Sequence, residues 1–313
     1  MTDFREILSV EEWTALKLRA LYAKQGYRQY KMRKFEQYDL YVQNKDFLVD
    51  ENVITFTDMD GRLMALKPDV TLSIIKNSRD EDGTQKVYYY ENVYRVSKGT
   101  RAFKEIMQVG VECFGDIGRD TLVETLVLAA KSLDEISQNN LLEVSHLGVI
   151  SGVLDGCGLS RGAKKQALLA LGEKNVQALK TVCEKEGLNG EWTRLICSLV
   201  DVCGKPDEVH SALDAFRING ETDAAIAELE GVMEGLREAG VSEKVCIDFS
   251  LVNDMNYYNG LAFKGFVEGV PTSVLSGGEY DNLMKKMKRK SRAIGFAVYL
   301  EGLGKRKAGV SCE

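Results

Sequence analysis

YYYENVYRVSKGTRAFKEIMQVGVECFG, residues Tyr88–Gly115, reads as two strands joined by a tight connection. Val87, Tyr88, Tyr89, Tyr90, Val93 and Tyr94 are β-branched or aromatic, the residue types that fill strands. Ser97-Lys98-Gly99-Thr100 is a turn-type cluster. From Ile106 to Phe114 the residues alternate. Met107, Val109, Val111 and Cys113 share a wholly apolar face, which predicts core. Ile106, Gln108, Gly110, Glu112 and Phe114 share the other. Gln108 and Glu112 lie about 13 Å apart along such a strand, at roughly 3.3 Å per residue. Taken alone, the stretch reads first as a half-solvated hairpin with ordinary polar residues turned outward. The alternative is a small ligand lying over Gly110, with a polar group at each end.

Outward from this stretch, the chain of 313 residues is 44% hydrophobic and 28% charged, with a formal net charge of −6. That predicts a large core and two domains, and argues against broad binding to a phosphate backbone. The seven cysteines form no CxxC pair and there are only two histidines, His146 and His210. No zinc site or other metal site is expected, and the thiols read as scattered core residues in a reducing cytosol. The N-terminal segment lacks a signal-type apolar run, and no stretch reaches the ~18 apolar residues of a membrane helix. The expectation is a cytoplasmic protein.

Residues 10–26 have helical spacing closed by Gly26, followed by a strand over 27–35. A hairpin is predicted over 52–66, then a helix from about Val70 to Asn77, with Asp69 and Thr71 as good first-turn residues. A helix over 120–136 and a strand over 141–147 follow the opening stretch. From 150 to about 240 a period of 3.6 dominates, in segments such as AAIAELEGVMEGLREAG, and predicts about five helices. Strands resume over 244–252, 257–268 and 272–275, then a helix over 279–288 and a last strand and helix from Ala293. Hairpins outnumber crossovers, so the class is α+β with a largely antiparallel sheet. The domain reading is a core of residues 1–149 and 243–313 carrying a helical insertion over 150–242.

Several of these pieces resemble the class II aminoacyl-tRNA synthetases, and in detail their histidyl branch. ENVYRVSKGTRAFKEIMQVGVECFG resembles the second signature motif, and MALKPDVT the amino-acid site "LRPE-T". LVNDMNYYNGLAFKGF is similar to "LVRGLDYYTG", SGGEYDNL to "GGRYDGL", and RAIGFAVYLEGL to the third motif, "GFAxGLERL". The blocks stand in the family's order along almost the whole chain. By this resemblance, the ammonium of a bound histidine would meet Asp69 and Thr71, with Gln108 near. The imidazole would meet Glu112 and Tyr258, and Arg95 is a candidate partner for the carboxylate. Of the adjacent tyrosines, Tyr258 is expected in the pocket and Tyr257 in the core. Gly277-Gly278 reads either as a ligand cradle or as a tight bend.

The departures from the family pattern concern phosphate chemistry. Activation of an amino acid builds negative charge on the α-phosphate of ATP, which fixed cations must meet. Arg95 matches one such arginine, but the other two positions hold Asn253 and Gly302. The chain stops at Glu313, which leaves no room for an anticodon-binding domain. A kept amino-acid site beside a broken phosphate site implies the paralogous family of ATP phosphoribosyltransferase regulatory subunits. That family implies a short catalytic subunit as partner, L-histidine as effector, no cofactor, no catalytic residue of its own and no tRNA. A homodimer through the first motif, about Trp13–Tyr41, would sit within a hetero-oligomer; the family's proline there falls on Arg33. The alternative is a synthetase-like enzyme that activates an amino acid for another acceptor.

Overall fold

The computed structural model describes residues 7–48, 53–79, 83–97, 100–252 and 257–304. Helix α1 (Val10–Lys24) opens with a capping box, in which Glu12 N–H donates to Ser9 Oγ and Ser9 N–H donates back to Glu12. The strand expected over 27–35 is instead two short pieces, β1 (Arg28–Gln29) and β2 (Phe35–Gln37). The chain changes sheets between them. β1 joins the main sheet, while β2 pairs with β4 (Leu63–Leu66), which also pairs with β3 (Thr55–Thr57). Between β2 and β3 lies α2 (Tyr38–Gln43), and after β4 comes α3 (Thr71–Asn77).

The hairpin of β5 (Thr84–Val96) and β6 (Phe103–Gly115) is the longest pairing in the fold, in register from Thr84↔Gly115 to Val96↔Phe103. Then come α4 (Arg119–Asp134) and β7 (Asn140–His146). Helices α5 (Leu147–Gly156), α6 (Arg161–Gly172), α7 (Val176–Lys185) and α8 (Gly190–Ser198) follow. After the short β8 (Cys203–Gly204) come α9 (Pro206–Leu213) and α10 (Gly220–Glu238). The chain returns through β9 (Val245–Asp248), β10 (Leu261–Val267) and β11 (Leu275–Glu279), then α11 (Asp281–Lys286) and β12 (Arg292–Tyr299). The strand expected over 272–275 thus starts at Leu275, and the one expected from Tyr257 starts at Leu261. The helix expected after the last strand lies largely in residues 305–313, outside those described.

The main sheet has the order β1-β5-β6-β12-β11-β10-β7-β9-β8. Its pairings are antiparallel except β1 with β5 and β7 with β9. The second exception explains the helical stretch. Parallel neighbours cannot be joined by a tight turn and need a crossover, and α5–α10 are that crossover. One face of the sheet is apolar as the alternation predicts: Val109, Val111 and Cys113 are fully buried. Helices α1 and α4 cover it. Tyr22 packs tilted against Tyr88 and edge-on against Phe296, at 6.3 and 5.9 Å between ring centroids, and its hydroxyl meets Ser132 of α4. The same apolar cluster runs on into α10 through Ile226, Leu229 and Leu236.

The opposite face is not half-solvated. Gln108 and Glu112 are only 3% and 2% exposed. Nor is Gly277-Gly278 a bend. Both glycines lie inside β11, where neighbours leave no room for a side chain. A Cβ on Gly277 would sit 2.5 Å from the Gly295 carbonyl oxygen and 2.6 Å from the Phe263 ring. The thiols are also less uniform than expected, since Cys203 is exposed and Cys312 lies outside the described residues.

These contacts give a paired prediction. Gly277→Ala overpacks the sheet and lowers stability by about 1–3 kcal/mol. Gly162→Ala, in α6 with open space where its Cβ would go, raises stability by about 0.5 kcal/mol. Urea unfolding of the two variants checks both signs.

Candidate functional site

The buried polar face of β6 floors a cavity of about 230 Å³. Asp69, Thr71, Arg95, Gln108, Glu112 and Tyr258, scattered over nearly two hundred positions of sequence, all line it. Three structural devices bring them there.

The first is the segment before α3. Lys67 is fully buried and its ammonium donates to Glu91 of β5 at 2.8 Å. Tyr94 N–H donates to the Lys67 carbonyl, and Arg95 Nε donates to the Pro68 carbonyl. These bonds clamp residues 67–68 against the hairpin and aim Asp69 and Thr71 over the sheet. Asp69 also serves its helix, since Oδ1 accepts the Leu72 N–H at 2.8 Å. Burial pushes the Asp69 carboxyl above its usual range, while the Leu72 amide and the Arg95 charge pull it back.

The second is the pairing around Glu112. Thr71 Oγ1 donates to Glu112 Oε1 at 2.6 Å and Tyr280 OH donates to Oε2 at 2.6 Å. Each carboxylate oxygen therefore has a hydroxyl donor. Burial still dominates and pushes the Glu112 pKa up to about 8.

The third is a floor of glycines. Across the sheet, Glu112 pairs with Gly295 of β12, which pairs with Gly278 of β11. A Cβ on Gly295 would overlap the Glu112 carboxylate, and one on Gly278 would lie 2.7 Å from the Tyr258 ring. At Gly110 a Cβ would overlap the Tyr89 hydroxyl. The room above Gly110 that the ligand reading needs is filled by Tyr89, and the cavity lies beside that position.

The expected split of the two tyrosines also fails. Tyr257 and Tyr258 precede β10, so strand alternation does not govern them, and both line the cavity. Their rings meet edge to face at 4.8 Å. Sequence reasoning missed Tyr280, Tyr89 and Lys264. Tyr280 lies in SGGEYDNL, a block already singled out, but only the β6–β12–β11 register shows that its hydroxyl reaches Glu112. The third-motif glycine, Gly302, has φ +90° and open space where its Cβ would be. Asn253 lies outside the described residues.

Among the described residues, His146, Glu228 and Glu279 place potential metal-ligand atoms within 4.8 Å of one another. A cation is already present there. Arg292 bridges Glu228, at 3.1 Å, and Glu279, while His146 Nε2 meets Glu228 at 3.1 Å. The cluster is an ion-pair network that ties α10 to the sheet. No helix among the described residues is long and apolar enough to cross a membrane.

Because burial raises the Glu112 pKa from 4.5 to about 8, its protonated form contributes stability that is complete below about pH 4.5. That contribution is lost as pH rises to about 8. Glu112→Gln keeps the group neutral. The variant should show a flatter stability profile between pH 5 and 8 and exceed the wild type at pH 8 by on the order of 1 kcal/mol. Parallel profiles in thermal melts would contradict this.

The histidyl-tRNA synthetase family model matches residues 6–303. An ATP phosphoribosyltransferase regulatory subunit from Alkaliphilus metalliredigens is 25% identical over 302 residues, covering 95% of this chain and 74% of the relative. One from Clostridium kluyveri is 28% identical, covering 91% and 75%. A solved ATP phosphoribosyltransferase regulatory subunit/histidyl-tRNA synthetase from Bacillus halodurans is 24% identical with a TM-score of 0.82, covering 98% of this chain and 81% of that one. The ATP phosphoribosyl transferase (HisG:HisZ) complex from Thermotoga maritima contains a chain that superposes with a TM-score of 0.72 at 18% identity, covering 96% and 98%. The likeness to these structures carries the class II synthetase-like α+β fold, and the family match along nearly the whole length places this chain in the histidyl-tRNA synthetase family.

Proposed function

We propose that this chain is a non-catalytic regulatory subunit of ATP phosphoribosyltransferase. In this reading it is required for the activity of a short catalytic subunit, and it carries L-histidine feedback in the first step of histidine biosynthesis. The observation that carries the reading is the similarity to regulatory subunits of that name over 89–96% of this chain. The site supports it from a second direction. The cavity keeps two buried carboxylates suited to a ligand with cationic ends, Asp69 and Glu112. The sequence has Gly302 where the synthetase pattern has an arginine aimed at a phosphate.

Asp69 and Thr71 receive the ammonium of histidine, with Gln108 near, and Glu112 and Tyr258 receive the imidazole. A positive group arriving beside Glu112 lowers its pKa and favours the charged form, so ligand entry and ionisation of Glu112 are linked. Residues 150–242 form the inserted helical subdomain of this reading. The chain pairs with a second copy through the region of α1 and β2, where Leu16 and Phe35 are 42% and 49% exposed. The protein works in the cytoplasm and uses no cofactor.

The reading predicts no histidine-dependent pyrophosphate exchange, because losing even one preorganised phosphate donor costs a factor of about 10²–10³. Exchange within about tenfold of a genuine synthetase would favour an amino-acid-activating enzyme instead. In calorimetry the wild type binds L-histidine. Glu112→Gln and Asp69→Asn each weaken that binding by about 1.5–3 kcal/mol, the magnitude of a charged hydrogen bond. Unchanged affinity in both variants would move the histidine site elsewhere.

A further inference from the structure

We propose that Lys264, with Ser276 beside it, is the carboxylate-binding subsite of the pocket and makes it select an α-amino acid over the corresponding amine. This inference rests on the amino-acid reading of the cavity and names a contact that the reading leaves open.

The first argument is charge balance. Asp69 and Glu112 suit the ammonium and imidazole of a ligand, but an amino acid also brings a carboxylate. Burying that group without a cation is costly. With two carboxylates and no cation to oppose them, the cavity would prefer a decarboxylated amine to a zwitterion. Among the described lining residues the cations are Arg95 and Lys264.

Position separates the two. Arg95 is committed on the Asp69 side, where its Nε donates to the Pro68 carbonyl at 3.1 Å and its charge acts on Asp69. Lys264 stands on the opposite wall. The register lays Gly110, Ala297, Ser276 and Lys264 in one row across β6, β12, β11 and β10. The Glu112 carboxylate lies over Gly295, in the next row of β12. From β12 to β10 is two strand spacings, about 10 Å. The carboxylate sits on the carbon that bears the ammonium, so with the imidazole at Glu112 and the ammonium at Asp69 it is the substituent left to face β10. The flexible four-carbon stem of lysine lets its ammonium follow a ligand oxygen across part of that gap.

Ser276 is the direct cross-strand neighbour of Lys264, so their Cβ atoms lie about 4.5–5.5 Å apart. Its hydroxyl can donate to the second carboxylate oxygen. On its other flank Lys264 is opposite Glu143 of β7. Burial pushes the Glu143 carboxyl upward, and the charges of Lys174 and Lys264 pull it back. Glu143 thus attracts the Lys264 ammonium from the β7 side, and a ligand carboxylate would share that charge.

The test is calorimetric titration of the full chain with L-histidine and with histamine, which is histidine without its carboxylate. Lys264→Met should weaken L-histidine by roughly tenfold or more, the lower end for a charged hydrogen bond. It should leave histamine unchanged, and Lys264→Arg should recover most of the loss. Ser276→Ala should weaken L-histidine alone, by less, and decides the matter if Lys264→Met does not fold. L-histidine bound by Lys264→Met as tightly as by the wild type would overturn this inference while the amino-acid reading stands. Equal weakening of both ligands would also overturn it, because Lys264 would then only support the pocket. A wild type that bound neither ligand would end the amino-acid reading and this inference with it.

Discussion

A carboxylic acid in the middle of a sheet, 2% exposed, must be satisfied where it stands, and much of this structure follows from how Glu112 is satisfied. Its two oxygens accept hydrogen bonds from the hydroxyls of Thr71 and Tyr280, which enter from opposite ends of the chain. Thr71 reaches it only because Lys67, Pro68 and Tyr94 clamp the preceding segment to the hairpin. Tyr280 reaches it only because β11 stands two strands away in the right register. Gly295 is the geometric price, since any side chain there would displace the carboxylate. One buried acid thus fixes the mutual positions of β6, β12, β11 and α3.

The strand that ends beside Tyr280 links this acid to the helical crossover. Glu279, the preceding residue, is fully buried in the network with Arg292, Glu228 and His146, and its Oε1 also accepts the Leu261 N–H. Burial pushes the Glu279 carboxyl up to about 7. Glu228 belongs to α10, the last helix of the crossover. The cavity and the longest helix of the crossover therefore hold consecutive residues of one segment, Tyr280 and Glu279. A shift of either is felt by the other through a single peptide unit.

Much of this was legible in the sequence, and the limits have physical causes. The long hairpin was readable because Met107–Cys113 alternates cleanly, and the lining of the cavity because its residues fall in blocks with family spacing. The two-residue strands β1 and β8 carry too little pattern to be seen, and they exist only through their neighbours. The burial of Gln108 and Glu112 was not readable either. A polar residue on an alternating strand signals solvent unless a partner is known, and the partner Tyr280 lies 168 positions away. Of the two readings of Gly277-Gly278, the bend fails for a related reason. A glycine pair suggests a turn, whereas Gly277 and Gly278 mark close approach of backbone and aromatic rings inside a sheet. Tyr257 and Tyr258 were separated by strand alternation that does not apply before β10.

The regulatory reading requires that this pocket control chemistry done by another chain. The most direct measurement is the rate of phosphoribosyl transfer to ATP by the short catalytic subunit, alone and with this chain, over a range of L-histidine concentrations. The account predicts a low rate alone, stimulation by this chain, and suppression by histidine that needs a much higher concentration when the chain carries Glu112→Gln. A catalytic subunit indifferent to this chain, or inhibited by histidine identically with wild type and variant, would contradict it.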